Sequence, residues 1–525
     1  MKSKMFKRIF SVMLAAMIIA LPLCSAFARE REIEGEQDCP FIFVHGFMAE
    51  SIYVDKNDTD NNLKVFPPES DEILEVVKEN LGGILSFLVT KDYDALAELL
   101  IDPCKQLLCK GNLDDGEITD TSGIRWTYPE KDTITKTSQL EFCYDWRIDP
   151  IEVAAQLNDY IEYVCEASGC DQVTLECHSY GGVVTISYVT LYEQPRVEAG
   201  YEPRLKSVCY NSTAIFGESY TGEMLSGNIK LDDESLTVFI KQALGENEYS
   251  NLLNGIFDIL KASGITGDIC QLGNDIVKYC GPVVIKETVA PMFAGWLSIW
   301  SMIPDEYLDD CIDYIFNDIY AGDPVEAHDG LRAKIESYNT LVRATKKEVL
   351  EKQINEWSTT VYNISRYGFC SVPTSDSWAN MSDTVIDLKY TSWGATTTDY
   401  NKTLSSDYIA SRDAKYISPD KNVDASTGML PESTWYIRGF NHSDSNESFD
   451  NMILELLCYD GQATVDTFEE YPRFMMFDSE TDSVLPDTNG SPEEKTTFMD
   501  KIFNIYLKFL SKINRFFDKI FSIFK

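Results

Sequence analysis

Histidine is scarce in this chain, with four residues among 525, so any chemistry that needs an imidazole has few candidates. Positive charge is scarce as well. There are 45 Lys and Arg against 85 Asp and Glu, a formal net charge of -40. Residues 1–28 and 498–525 each carry a net +4, so the body between them is near -48. A surface of that sign repels phosphate backbones, which argues against nucleic-acid binding and fits solubility outside the cell. After the first 28 residues no apolar run is long enough to span a bilayer. There are 14 cysteines, but none forms a CxxC pair or sits with a histidine cluster, and that spacing argues against a zinc site or any other metal cofactor. Internal repeats and low-complexity linkers are also lacking.

The first 28 residues combine Lys2, Lys4, Lys7 and Arg8 with a short apolar run and the small-x-small pattern Ala26-Phe27-Ala28. This is the pattern of a secretory signal peptide, and it predicts an exported, extracellular or surface-associated chain that begins near Arg29. A retained anchor would need a longer apolar run. Thirteen cysteines then remain, an odd number, and the close pairs Cys104/Cys109, Cys165/Cys170 and Cys270/Cys280 are candidate disulfides.

The body from 29 to about 490 alternates strand-like and helix-like segments, the pattern of a parallel α/β sheet. Strands are expected at FIFV, LEFCYDWR, VTLEC, LKSVCYNST (205–213), TTVYNISRYG (359–368) and TWYIRGFNH (434–442). Asp149-Pro150 reads as an N-cap followed by a first-turn proline. It opens a helix with Val153, Leu157, Ile161 and Val164 on one face and a stop at Gly169. Two long, largely helical segments, about 50–135 and 217–356, interrupt the alternation. The second would lie over the carboxyl ends of the strands, where open α/β sheets bind ligands, and reads as a cap or lid. The polar stretch at about 478–495 reads as the end of the body and a hinge. Residues 498–525 place aromatic and aliphatic side chains on one helical face and basic ones on the other, which predicts a helix lying on a membrane surface or packed on the body.

The segment LECHSYGGVV puts a serine, Ser179, at an abrupt strand-to-helix turn, as in the G-x-S-x-G nucleophile elbow, with Cys177 where the pattern has glycine. A serine hydroxyl needs a base to take its proton and a carboxylate to orient that base. His178 adjoins the serine and cannot easily turn back to it. His45 belongs to the VHGF loop, and His328 lies in the helical segment. His442, just after the last predicted strand, is the remaining candidate. The acid should fall between Ser179 and His442 in chain order. Asp383, in a turn-like S-D-T-V, is preferred; Asp387, within a strand by its pattern, is second; Asp482 follows His442 and is out of order. The oxyanion donors would be the backbone amides of Tyr180 and of Phe47 or Met48.

The motifs FIFVHGF, FCYDWR, ECHSYGG, VCYNSTAIFGES, SDTVID and DASTGMLPESTWYIRGFNH together resemble the lecithin:cholesterol acyltransferase-like branch of the α/β-hydrolases, which includes lysosomal phospholipases and bacterial lipases. The resemblance spans about 41–442. It implies an α/β-hydrolase fold, an acyl-enzyme on Ser179, a triad completed by Asp383 and His442, and a mobile lid over a cleft for lipid esters. The chain departs from the family at Cys177, usually alanine or glycine there, and at Tyr180, often methionine or leucine. Asp145-Trp146-Arg147 is expected to anchor packing and an ion pair. Two other readings stay open: an esterase or amidase on a non-lipid surface substrate, and a catalytically silent surface-binding protein.

Overall fold

The computed structural model describes residues 38–488 except 61, 69, 245–256 and 259–260. The expected signal peptide, the 498–525 helix and the far end of the 478–495 stretch lie outside the described residues. No helix among those described is long and apolar enough to cross a membrane.

The apolar run after Pro40 forms β1 (Phe41–Val44), buried at every position. The next two helices, α1 (Ser70–Thr90) and α2 (Tyr93–Leu108), fill the first inserted segment. Then come β2 (Gln139–Phe142) and α3 (Pro150–Ser168). The α3 boundaries follow the chemistry of its ends: the Asp149 side chain accepts from the Ile151 amide, Pro150 sits in the first turn, and Gly169 stops the helix at φ +70°. Val153, Leu157, Ile161 and Val164 are completely buried, and each contributes roughly 1.5–3 kcal/mol through removal from water.

Next follow β3 (Val173–His178), α4 (Gly181–Tyr188), β4 (Leu205–Asn211), the short α5 (Ser219–Leu225) and the longer α6 (Ile265–Val284). The chain then returns to the sheet through β5 (Thr360–Tyr367) and β6 (Thr434–Arg438). Helix α7 (Glu447–Cys458) precedes β7 (Phe474–Asp478) and β8 (Ser483–Pro486). Eight strands form one mixed α/β sheet in the order β8-β7-β6-β5-β4-β3-β1-β2, parallel throughout except for the β7–β8 pair. Because β1 and β3 are neighbours while β2 lies outside β1, the chain reverses direction across the sheet between them. Their carboxyl ends frame a crevice of the kind that binds ligands.

Three expectations are corrected. The first part of the presumed hinge is the β7–β8 hairpin at the sheet edge, with Asp482 in its turn at φ +51° and Asp487 buried as the acceptor of Arg438. Hairpin polarity, with turn residues between two short strands, had looked like a linker. Asp387 is not in a strand but N-terminal to a single helical turn, Leu388–Thr391. All thirteen described cysteines are free thiols. Cys270 and Cys280 both lie on α6, where ten residues of helix separate them by about 15 Å, far beyond disulfide reach.

The helical segments pack over the carboxyl ends of β1–β3 through aromatic rings. Trp146 contacts Phe47 (ring centroids 4.7 Å apart) and Trp296 (5.1 Å), and Phe66 and Phe293 close on the same Trp296 at 5.8 and 5.2 Å. The flanking charges are paired as expected. Arg147 and Asp145 are joined in a two-pronged bond of 2.6 and 3.0 Å, and Arg147 also donates to the Gly111 carbonyl and the Ser122 hydroxyl. Removing one side of such a buried pair leaves the other charge without compensation. Arg147→Ala is therefore expected to lower stability by about 3–5 kcal/mol in urea or thermal unfolding; a loss below about 1 kcal/mol would show that the pair is solvated like a surface bridge.

Candidate active site

Ser179 follows β3 directly and takes φ +57°, a left-handed conformation that costs a non-glycine residue about 1–3 kcal/mol. Its backbone is braced on both sides: its amide donates to the Asn211 carbonyl (3.2 Å), and its carbonyl accepts from Ala214 (3.1 Å). The turn fits because two neighbours have no side chain. A Cβ at Gly46 would stand 2.9 Å from the Ser179 Cβ, and one at Gly181 would meet the carbonyl oxygens of Val44 and His45, the latter at 2.6 Å. Cys177 does not crowd the turn. It is fully buried within β3, and its thiol reaches the Cys209 carbonyl on β4 at 3.7 Å.

His442 and Asp383 come together. The Asp383 Oδ2 accepts from His442 Nδ1 at 2.7 Å, and the backbone repeats the pairing, with the His442 amide donating to the Asp383 carbonyl at 2.8 Å. The other carboxylate oxygen of Asp383 takes the amides of Val385 (3.0 Å) and Ile386 (2.7 Å), so the acid is fixed by its own turn. With Nδ1 donating to a carboxylate, a neutral His442 carries its lone pair on Nε2. That atom is buried and has no hydrogen-bond partner among the described residues.

Four buried side chains, His178, Arg366, Asn211 and Glu176, hold the His442 loop against the residue that precedes Ser179. His442 packs against His178, the residue before Ser179, with ring centroids 4.6 Å apart and the rings tilted by 41°. His178 Nε2 donates to the His442 carbonyl at 2.9 Å. Burial, with a smaller contribution from the nearby His442 and Arg366, holds the His178 imidazole well below its usual range, so it stays neutral. Arg366, buried in β5, donates to the carbonyls of Asn441, His442 and Asp444 at 2.7–2.9 Å and to Asn211 Oδ1 at 3.1 Å. Asn211 in turn donates to Glu176 at 2.9 Å. Glu176 and Arg366 stand inside strand runs that are otherwise buried, and a charge in that position has to be paired. That signal was present in the sequence.

The other candidates lie elsewhere. Asp387 accepts from the Ser219 amide at 3.2 Å, His328 pairs with Asp323 at 3.3 Å and stacks on Tyr320, and His45 faces Glu50 and Glu141. The loop after β1 places Phe47 and Met48 beside Ser179, with Met48 at φ +58°. Among the described residues no acceptor pairs with the backbone amides of Phe47, Met48 or Tyr180.

Ser179 lines a cavity of about 110 Å³ walled by Met48, Phe66, Phe293, Met302, Val385 and Ile386 among others. Glu218 is the charged side chain in its wall. It caps α5 by accepting the Tyr220 and Thr221 amides at 2.6 and 2.7 Å. Burial outweighs those hydrogen bonds and, with the nearby Asp387, raises its carboxyl from the ordinary 4.5 to about 8. The folded protein then holds a proton that the unfolded chain releases. Its stabilising effect is complete below about pH 4.5 and is lost as pH rises through 8. Wild-type protein is therefore expected to lose more stability than Glu218→Gln between about pH 5 and pH 8.5. Urea midpoints at the two pH values would measure this; parallel losses in both proteins would mean that Glu218 titrates normally.

No protein-family model matches this chain, and no curated protein matches it. Among solved structures, a chain of "The crystal structure of Tle4-Tli4 complex" aligns over 80% of this chain and 96% of that one, at 11% identity and a TM-score of 0.30. A likeness that low carries no argument.

Proposed function

We propose that this chain is a serine hydrolase of α/β-hydrolase type that acts on the acyl esters of lipids, with the lecithin:cholesterol acyltransferase-like branch as its family. The observation that carries the reading is the Asp383–His442 pair held against the residue that precedes a left-handed Ser179. The Ser179 hydroxyl attacks the ester carbonyl, and His442 Nε2 takes its proton. Asp383 keeps the imidazole in the correct tautomer and stabilises its protonated form. The amides of Tyr180 and of Phe47 or Met48 receive the oxyanion. His442 returns the proton to the departing alcohol, leaving an acyl group on Ser179. Water activated by the same imidazole then releases the acid.

The cavity wall favours an acyl chain over a polar polymer, because most of it is apolar, with Met48, Phe66, Phe293, Val385 and Ile386 among its lining, and the Glu218 carboxyl is engaged in capping α5. On this reading the 217–356 segment, which supplies Phe293 and Met302 to that wall, is the lid. Water is the default acceptor, so hydrolysis is preferred to transfer. An exported chain, as its first 28 residues predict, fits a lipid substrate outside the cell.

Incubation with phospholipid vesicles and short-chain esters, with mass spectrometry of the products, is expected to show released fatty acid. Ser179→Ala should abolish it, and Asp383→Asn should lower turnover by about 10⁴-fold. No serine-dependent product from either substrate class would reject the enzyme and leave the silent binding protein as the better reading.

A further inference from the structure

A second cluster of reactive side chains lies at the other side of the β1 loop. His45 is the first residue after β1, and Cys143 is the first after β2; these strands run parallel with Val44 opposite Phe142, so the two side chains emerge at the same level. Glu141, two residues before Cys143 on β2, shares its face. Glu50 arrives from the loop after β1, where its carbonyl is held by Trp146 Nε1 at 2.9 Å.

We propose that His45, Cys143 and Glu50, with Glu141 beside His45, bind a divalent transition metal, zinc by the character of its donors. One donor atom each from His45, Glu50 and Cys143 lies within 4.8 Å of the other two. His45 Nε2 stands 4.0 Å from Glu50 Oε1 and 3.6 Å from Glu141 Oε2. These spacings are too long for hydrogen bonds. Ligand atoms around a tetrahedral zinc stand about 3.3–3.8 Å apart, given its bond lengths, so the His45, Glu50 and Cys143 atoms need to close by at most about 1 Å. His45 is 3% exposed, and its Nε2 has no hydrogen-bond partner among the described residues. The buried His45 nitrogen has no hydrogen bond to any of its three neighbours, while the Cys143 thiol rests against the Glu50 carboxylate, so a thiol, a carboxylate and a free imidazole nitrogen converge on one point.

The donor chemistry narrows the ion. One imidazole, one thiolate and carboxylate oxygens suit zinc, whereas calcium and magnesium prefer oxygen alone. Cys143 is buried, but the Glu50 and Glu141 side chains are 28% and 48% exposed, which gives the ion a path from solvent. Sequence spacing hides the site, because its ligands come from two distant segments joined only by strand pairing. A bound ion would tie the loop carrying Gly46, Phe47 and Met48 to β2. The site stands whether or not Ser179 is a nucleophile, since its test reads metal and not turnover.

The full chain, stripped with a chelator, would be titrated with zinc, passed through a desalting column and assayed for retained metal; cobalt would be added in parallel as a spectroscopic probe. One zinc per chain is expected, together with a thiolate-to-cobalt charge-transfer band. Cys143→Ser should lose that band, and His45→Gln should weaken zinc binding by more than about 100-fold, beyond the effect of an outer-shell partner. If neither variant folds by circular dichroism, Glu50→Gln, at the partly exposed side, carries the comparison and should weaken binding. No retained zinc in the wild type would overturn the proposal. So would zinc and a cobalt band that persist in Cys143→Ser and His45→Gln, or, where Glu50→Gln carries the comparison, zinc binding unchanged in that variant.

Discussion

The site depends on one buried cation. Arg366 sits in β5 with its guanidinium wholly inside the protein, and it gathers three backbone carbonyls from the loop at 441–444. That loop leaves the sheet at β6, three strands from Ser179, and needs a reason to turn back across β5 and β4. Hydrogen bonds to a charged donor supply it, because the buried carbonyls of Asn441 and His442 have no water as an alternative partner. Phe440 and Phe449 face the guanidinium at 4.8 and 4.5 Å and keep it in place. Asn211 and Glu176 extend the same network beneath the elbow. Together with the bonds from Asp383 and His178, this network holds the His442 imidazole against His178.

A second constraint is space. The left-handed turn at Ser179 brings backbone from three segments into near contact, and glycine is required where they meet, at positions 46 and 181. The glycine of the elbow pattern is missing at 177 because the chain there is still a strand, and its side chain points toward β4, where a thiol fits. Cys177 looked like a defect when the motif was read as a string. In three dimensions the crowding falls on other residues.

Much of this was legible in the sequence, for identifiable reasons. The α3 helix could be read end to end because its cap, its apolar spacing and its glycine stop agree. Strands β1, β3, β4, β5 and β6 could be read because each is a largely apolar run bounded by turns, whereas of the expected strand LEFCYDWR only the first three residues lie in β2 (Gln139–Phe142). Asp383 and His442 followed from chain order and from the scarcity of histidine. Strand β7 and the β8 hairpin were missed because a two-stranded edge with a polar turn has the composition of a linker. The roles of Arg366 and His178 and the His45–Cys143 cluster escaped for a different reason: a charge in a buried strand signals only that it must be paired, and the partners themselves are brought in by strand pairing, so no local window contains them.

The account stands or falls on whether Ser179 is an activated nucleophile. The most direct measurement treats the protein with a fluorophosphonate, which labels serines that have a working base, and locates the adduct by peptide mass spectrometry. The account predicts one adduct, on Ser179, that disappears in His442→Ala while the protein remains folded. An unlabelled Ser179, or labelling that survives loss of His442, would contradict it.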